Sequence, residues 1–310
     1  MNFIRTHFVV LFIMAAILLL ILGAIRLFSQ SDKVTEPLDP NIYHVPGAPY
    51  ARGLSLIFFA DGYLSWDEFD READIVMRGL KSVEPWQSFS RFNIYKIKPR
   101  ENDICDVKIA DERKPVLRCD PVLLNGYLNR LSTGPFKLVV LSRRNFQSWA
   151  NISRFQDSGI FFSIPVAPNG PTAEAELAIP FAHLMGHAFG LKDEELFVIA
   201  KADSAGNIAG GPNCAPDRKT AEQWWGDLAR QYPDSVGYFQ GCAGHGEYIS
   251  PHRGSIMNLG DLSQFVPEYG IVSEEYLRKI LNYCFSEKLY DTREDQVFFS
   301  KYPEFKACLE

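Results

Sequence analysis

The chain has 310 residues, a net charge of −6, six cysteines and 13% aromatic residues. No basic run interrupts that acidic balance, which excludes a nucleic-acid-binding surface of the usual electrostatic kind. The length allows one large hydrophobic core, and the absence of a P-loop, a dinucleotide fingerprint or a Gly-x-Ser-x-Gly elbow leaves nucleotide-binding and serine-hydrolase readings without support.

Residues 8–25 (FVVLFIMAAILLLILGAI) carry no charge, and eighteen apolar residues lie near the lower limit for a membrane span. A cleavable signal peptide has a shorter apolar region and a small-x-small site. Here the run ends at Arg26 without one, so residues 1–27 read as an uncleaved signal anchor, an N-terminal transmembrane helix. A cleaved signal peptide is the alternative. Arg5 precedes the span and Arg26 and Lys33 follow it, a weak positive-inside signal.

Cysteines orient the chain better. All six lie beyond the span, in close pairs: Cys105/Cys119, Cys214/Cys242 and Cys284/Cys308. Six cysteines permit fifteen connectivities, of which local pairing is the simplest. Such disulfide-stabilised loops imply an oxidising compartment. The body is therefore expected in the periplasm or at the cell exterior, with the membrane as a partner through the N-terminal helix.

Residues 28–53 are polar and proline-rich and read as a tether. The folded domain is placed over 54–310. Leu54–Ala60 is a continuous apolar run, expected as a buried strand, ending in Asp61-Gly62-Tyr63. Ser65 and Glu68 form a capping box for a helix whose apolar face is Phe69, Ala73, Val76, Met77 and Leu80. Phe92–Ile97 is a second strand, and Cys105–Cys119 a charged, disulfide-closed excursion. Pro121–Leu131 is a short helix; Phe136–Leu141 and Gly159–Val166 are further strands. The pattern is helical from Glu174 to Gly190, where Pro180 either starts the helix or kinks it and Gly190 is a stop signal. Thr220 to Gln223 opens a helix carrying Trp224 and Trp225, and Ser273 caps one carrying Tyr276, Leu277, Ile280 and Leu281. The order is α/β with a mixed β-sheet and a strand-rich first half.

Chemistry concentrates at His183-Leu184-Met185-Gly186-His187-Ala188-Phe189-Gly190. This is the zinc-peptidase pattern H-E-x-x-H-x-x-G with leucine in place of glutamate. One helical turn takes about 3.6 residues, so histidines at i and i+4 share a face and can hold one zinc ion. A third protein ligand is needed if a fourth position is to stay open. Asp193 is the first choice, from the pattern H-E-x-x-H-x-x-G-x-x-D, and Glu194 the second. His245 and His252 are outside candidates. Leu184 stands where the general base belongs and cannot take a proton. Glu194 or Glu195 are the substitutes within reach, although a residue serving as ligand is poorly placed to serve also as base. Trp224 or Trp225 is available to stack on a substrate. Adjacent helical positions point apart, so at most one of them lines a cleft.

These landmarks together resemble the bacterial IgA-peptidase-like zinc metallopeptidases, a secreted zincin-like group. Asp61-Gly62-Tyr63 resembles the family's G-D-G-Y segment. His183 to Gly190 with Asp193-Glu194 resembles its H-E-x-G-H-x-x-G-G-L-x-D-E-Y helix and turn. Pro212-Asn213-Cys214, Trp224-Trp225-Gly226-Asp227, Gly237-Tyr238 and Gly241-Cys242 resemble its cysteine-bounded loop, and Ser255-Ile256-Met257-Asn258 its S-I-M segment. The resemblance spans about Leu54 to Leu281. It implies a zincin-like metallopeptidase fold with an active-site helix, one zinc held by His183, His187 and Asp193 or Glu194, Met257 as a floor beneath it, Asp61 and Trp224 toward a substrate cleft, and a protein or peptide ligand. The departures fall on the chemistry: Leu184 replaces glutamate, Gly-Gly-Leu is one residue shorter, and Glu195 stands in place of tyrosine. The expected protein is a membrane-anchored metallopeptidase relative with impaired or lost hydrolysis; the alternative is a non-catalytic cell-envelope binding or scaffold protein on the same frame. Cleavage of immunoglobulin is a family label and is not carried over.

Overall fold

The computed structural model describes residues 42–44, 50–99, 104–109, 115–131, 136–146, 148–150, 159–164, 171–194, 211–258 and 266–285, with Val297 and Ser300. The expected signal anchor over 1–27 lies outside the described residues. Among the described residues no helix is long and apolar enough to cross a membrane.

A six-stranded mixed sheet organises the body, in the order β1-β3-β2-β6-β8-β7. Its centre is parallel: β3 (Phe92–Ile97), β2 (Leu54–Asp61), β6 (Phe136–Ser142) and β8 (Gly159–Ser163) run in one direction. Two short antiparallel strands close the edges. β7 (Trp149–Ala150) pairs with β8, and β1 (Ile42–His44) pairs with β3. β1 corrects the expected tether over 28–53, whose described part includes a strand of the sheet. Ile42 and Tyr43 are strand-favouring residues, and the open edge of β3 offers them unpaired backbone groups. Proline-rich flanks hide that from a reading of composition.

β2 explains why its sequence lacks alternation. All eight of its residues are buried, because both faces of the sheet are covered. Leu54, Leu56, Phe58 and Ala60 enter the main core, and Ile57 and Phe59 a second core on the opposite face. α1 (Trp66–Leu80) covers the main-core side with Phe69, Ala73, Val76 and Leu80. Its N-cap is Ser65, whose Oγ accepts from the Glu68 N–H at 3.1 Å, one of the two bonds of a capping box; the Glu68 carboxylate is bonded to Arg143. The second face is covered by α2 (Pro121–Leu128) and by a hairpin of β4 (Cys105–Ile109) and β5 (Pro115–Cys119). The expected cysteine-closed excursion is this hairpin. Cys105 and Cys119 face each other across it and form a disulfide.

Helix α3 (Pro171–Ala188) carries the histidines and packs against α1, β7 and β8. It runs through Pro180 without ending there. An interior proline costs about 3 kcal/mol, but each large apolar side chain buried returns about 1.5–3 kcal/mol, and Leu177, Phe181, Leu184 and Met185 are all buried around it. Two expected caps move. The N-cap of α4 (Arg218–Gln231) is Asp217, which accepts from the Thr220 N–H at 2.7 Å; Asp outranks Thr at this position. α5 (Ile271–Cys284) begins at Gly270, and Ser273 lies inside its first turn with its hydroxyl directed to Glu194. The hairpin of β9 (Phe239–Cys242) and β10 (His245–Ser250) is joined to the preceding loop by the Cys214–Cys242 disulfide. Cys284 is also disulfide-bonded; Cys308 lies outside the described residues.

The contact that seats α3 is close. A Cβ at Gly79 in α1 would stand 2.7 Å from both Cα and Cβ of Ala178 in α3. Gly79→Val is expected to lower stability by about 1–3 kcal/mol through overpacking, read as a lower urea midpoint. Gly79→Ala gains about 1 kcal/mol of helix propensity and is expected to recover part of that loss.

Candidate metal centre

The histidines stand one turn apart near the C-terminus of α3, and the way the helix ends aims one of them. Gly190, at φ 96°, takes the left-handed conformation that a Schellman ending requires. The Leu191 N–H reaches Gly186 O at 3.0 Å and the Gly190 N–H reaches His187 O at 3.0 Å. That turn brings Leu191 O back to His187 Nδ1, 2.9 Å away. His183 Nδ1 lies 2.9 Å from Ile256 O in a distant segment. A carbonyl only accepts, so each Nδ1 carries the ring hydrogen and each Nε2 is left to face the site. Beneath the helix, Met257 is buried against Gly186, where a Cβ would stand 2.6 Å from its sulfur. Met257, expected as a floor beneath a metal, thus lies against the turn that carries the histidines. Tyr269 lies alongside, its hydroxyl donating to Ala182 O and accepting from Trp86 Nε1.

Three donor atoms converge. The two Nε2 atoms are 2.9 Å apart, and Asp193 Oδ1 is 3.1 Å from His187 Nε2 and 3.4 Å from His183 Nε2. Among the described residues this is the cluster able to hold a metal ion. Two bare nitrogen lone pairs and a carboxylate oxygen repel one another unless a cation lies among them. Zinc takes such ligands at about 2.0–2.2 Å in tetrahedral array, placing ligand atoms about 3.3 Å apart. The observed separations lie within about 0.4 Å of that spacing, and three protein ligands would leave one position open. Without a metal, the shared cation is a proton. Burial works against a charged His187, but the hydrogen bond and charge of Asp193 outweigh it and raise its pKa. Burial, then the neighbouring His187 charge, pushes His183 down to about 4. Asp193 is pushed up by burial, yet its bond to His187 and that ring's charge hold it below the usual carboxylate range.

The other candidates lie elsewhere. Glu194, the second choice for a ligand, is buried and bonded to Asn213, Ser255, Ser273 and His252 instead of facing the histidine pair. Of the two adjacent carboxylates, Asp193 is the one within reach of the histidine rings. His252 is in the Glu194 network, and His245 stacks on Tyr248 with centroids 4.4 Å apart. Leu184 is 5% exposed and belongs to the main core. Asp61, expected toward a cleft, is 3% exposed. Its Oδ2 accepts from Ser142 Oγ at 2.5 Å and Arg144 Nε at 3.1 Å, tying together the ends of β2 and β6. Trp224 is half-buried and packs on two cores at once, and Trp225 is buried with its Nε1 donating to Gly237 O at 3.0 Å. Both have the placement of packing residues. No sequence signal marks the carbonyls of Ile256 and Leu191, since every residue has one. Asn213 and Ser255 sat in recognised motifs but without an assigned task.

No family model and no curated protein matches the chain. Among solved structures, the chain is similar to archaemetzincin from Methanopyrus kandleri, with a TM-score of 0.32 and 16% identity over 51% of this chain and 86% of that one. Neither figure assigns an activity.

In the metal-free protein, the His187 ring is expected to titrate above the ordinary imidazole value of 6.5, and His183 only near pH 4. The unfolded chain takes a proton at His183 below about 6.5 that the folded chain refuses until about 4. Its contribution to stability therefore falls as pH drops through that window. His187 has the opposite sign: its contribution is present below 6.5 and is lost as pH rises through its raised folded value. Ring-proton NMR titration checks both, and two rings titrating together near 6.5 would contradict the facing geometry.

Proposed function

We propose that this chain is a zinc-binding, metallopeptidase-like protein, related in kind to the IgA-peptidase-like group its motifs resemble, in which peptide-bond hydrolysis is impaired or lost. The observation that carries the reading is the convergence of His183, His187 and Asp193 within 2.9 to 3.4 Å of one another. Those three residues would hold the ion. What zinc supplies in such a site is polarisation of a carbonyl and acidification of water.

The chain's own residues decide how far that chemistry proceeds. The Ile256 and Leu191 carbonyls hold the rings in one tautomer, and Asp193 supplies the negative charge. No side chain at position 184 can accept a proton, and a positioned base is worth about 10²- to 10⁴-fold in rate. Glu194 is engaged in its own network, and Glu195 lies outside the described residues. A leucine at position 184 leaves the three donors without an adjacent base, which supports a non-catalytic binding or scaffold role as the second reading. The apolar run of residues 8–25 and the disulfides Cys105–Cys119 and Cys214–Cys242 support a membrane-anchored protein with its body outside the cytoplasm.

Elemental mass spectrometry of the purified full-length chain is expected to find one zinc per molecule, lost in His187→Ala. A folded protein free of zinc after zinc loading would leave only the scaffold reading. On the zinc-loaded protein, Leu184→Glu is expected to raise peptide hydrolysis by up to about 10²- to 10⁴-fold. No gain at full zinc occupancy in a folded variant would mean that the site lacks more than a base.

A further inference from the structure

Glu194 is the most enclosed carboxylate beside the metal centre, with its side chain 0% exposed. A buried carboxylate is costly unless hydrogen-bonded, and this one is held by four donors. Oε1 accepts from Asn213 Nδ2 at 2.9 Å, Ser273 Oγ at 3.3 Å and His252 Nδ1 at 3.3 Å. Oε2 accepts from Ser255 Oγ at 2.7 Å. His252 Nε2 accepts from the Val272 N–H at 3.3 Å, which places the ring hydrogen on Nδ1, toward Glu194. The donors come from three separate segments: the disulfide-bounded loop, the stretch before Met257, and the first turn of α5.

Two of those segments also grip the metal ligands. Asn213 clamps Lys192 from both sides, its Oδ1 accepting from the Lys192 N–H at 2.9 Å and its Nδ2 donating to Lys192 O at 2.8 Å. The Glu194 N–H donates to Met257 O at 2.9 Å, and Asp193 O accepts from the Ala243 N–H at 2.8 Å. Asp193 is thus pinned on each side and at its own carbonyl. Ser255 Oγ, while donating to Glu194, accepts from the Met257 N–H at 3.0 Å. Ile256, between them, supplies the carbonyl that aims His183.

We propose that Glu194 is a positioning residue of the metal centre: its buried carboxylate locks the backbone that carries Asp193 to the backbone that aims His183. The proposal rests on the metal-binding reading above. Outer partners that orient ligands are worth about 10- to 100-fold in metal affinity, and here one side chain serves two ligands at once. The competing account is a pin that stabilises the fold and leaves the ligands alone.

The test is E194Q in the full-length protein. Glutamine keeps the volume but sets an NH₂ group against donors that need acceptors. Zinc affinity is measured by chelator competition, and ligand geometry by the visible spectrum of the cobalt(II)-substituted protein at saturation. We expect zinc affinity to fall about 10- to 100-fold and the cobalt bands to change in position and intensity, with circular dichroism and disulfides retained. Unchanged affinity and spectrum in folded E194Q overturn the positioning role and leave the metal reading standing. Lower stability with a native cobalt spectrum overturns it too, in favour of the pin. A wild-type protein that binds neither ion sinks both readings. Should E194Q fail to fold, Ser255→Ala decides: it removes one partner and keeps the carboxylate, and an unchanged cobalt spectrum there overturns the proposal.

Discussion

The imidazoles of His183 and His187 each commit their Nδ1 hydrogen to a backbone carbonyl, and this leaves two bare nitrogens 2.9 Å apart beside a carboxylate. The arrangement is unfavourable without positive charge at its centre. Much of the surrounding architecture serves to hold it. The Schellman turn presents one carbonyl, the stretch from Ser255 to Met257 presents the other, and the Asn213 clamp keeps Asp193 from swinging away. The first tie is local to the helix end, but the other two join segments distant in sequence, so the full centre exists only in the folded chain.

Leu184 separates two properties that the zinc-peptidase pattern normally joins. Ligand geometry depends on the shared face of α3 and on carbonyls elsewhere, none of which involves position 184. In that pattern, proton transfer belongs to the glutamate at this position. Replacing a carboxylate by leucine adds apolar area to the main core and spares the cost of a buried charge. Leucine here offers no base and takes no part in the bonds that aim His183 and His187, which is the physical content of the proposed loss of turnover with retained binding.

The legibility of the fold followed local physics. Leu54–Asp61 stands out because a strand buried on both faces must be apolar throughout, and Ser65 because a cap bonds its own helix. The facing cysteines 105 and 119 were legible for the same reason, being ends of one hairpin. β1 was missed because three residues carry too little pattern to outweigh their proline-rich surroundings. Ser273 was misplaced as a cap because its hydroxyl had a second, unseen suitor in Glu194. Asp61 and Trp224 were assigned to a cleft by resemblance, and tertiary contacts place them in packing and strand-tying roles.

By itself, the sequence determined that His183 and His187 share a face, that the side chain between them at Leu184 cannot accept a proton, and that the first strand is buried. These depend on helical period, side-chain chemistry and apolar runs, which need no distant partner. Only the tertiary structure shows which of Asp193 and Glu194 lies against the histidines. Both are carboxylates in adjacent positions, equal in local propensity. What tells them apart is that Asn213, Ser255, His252 and Ser273 all bond to Glu194, while Asp193 meets the histidines. That choice is made by long-range packing, and no local pattern encodes it.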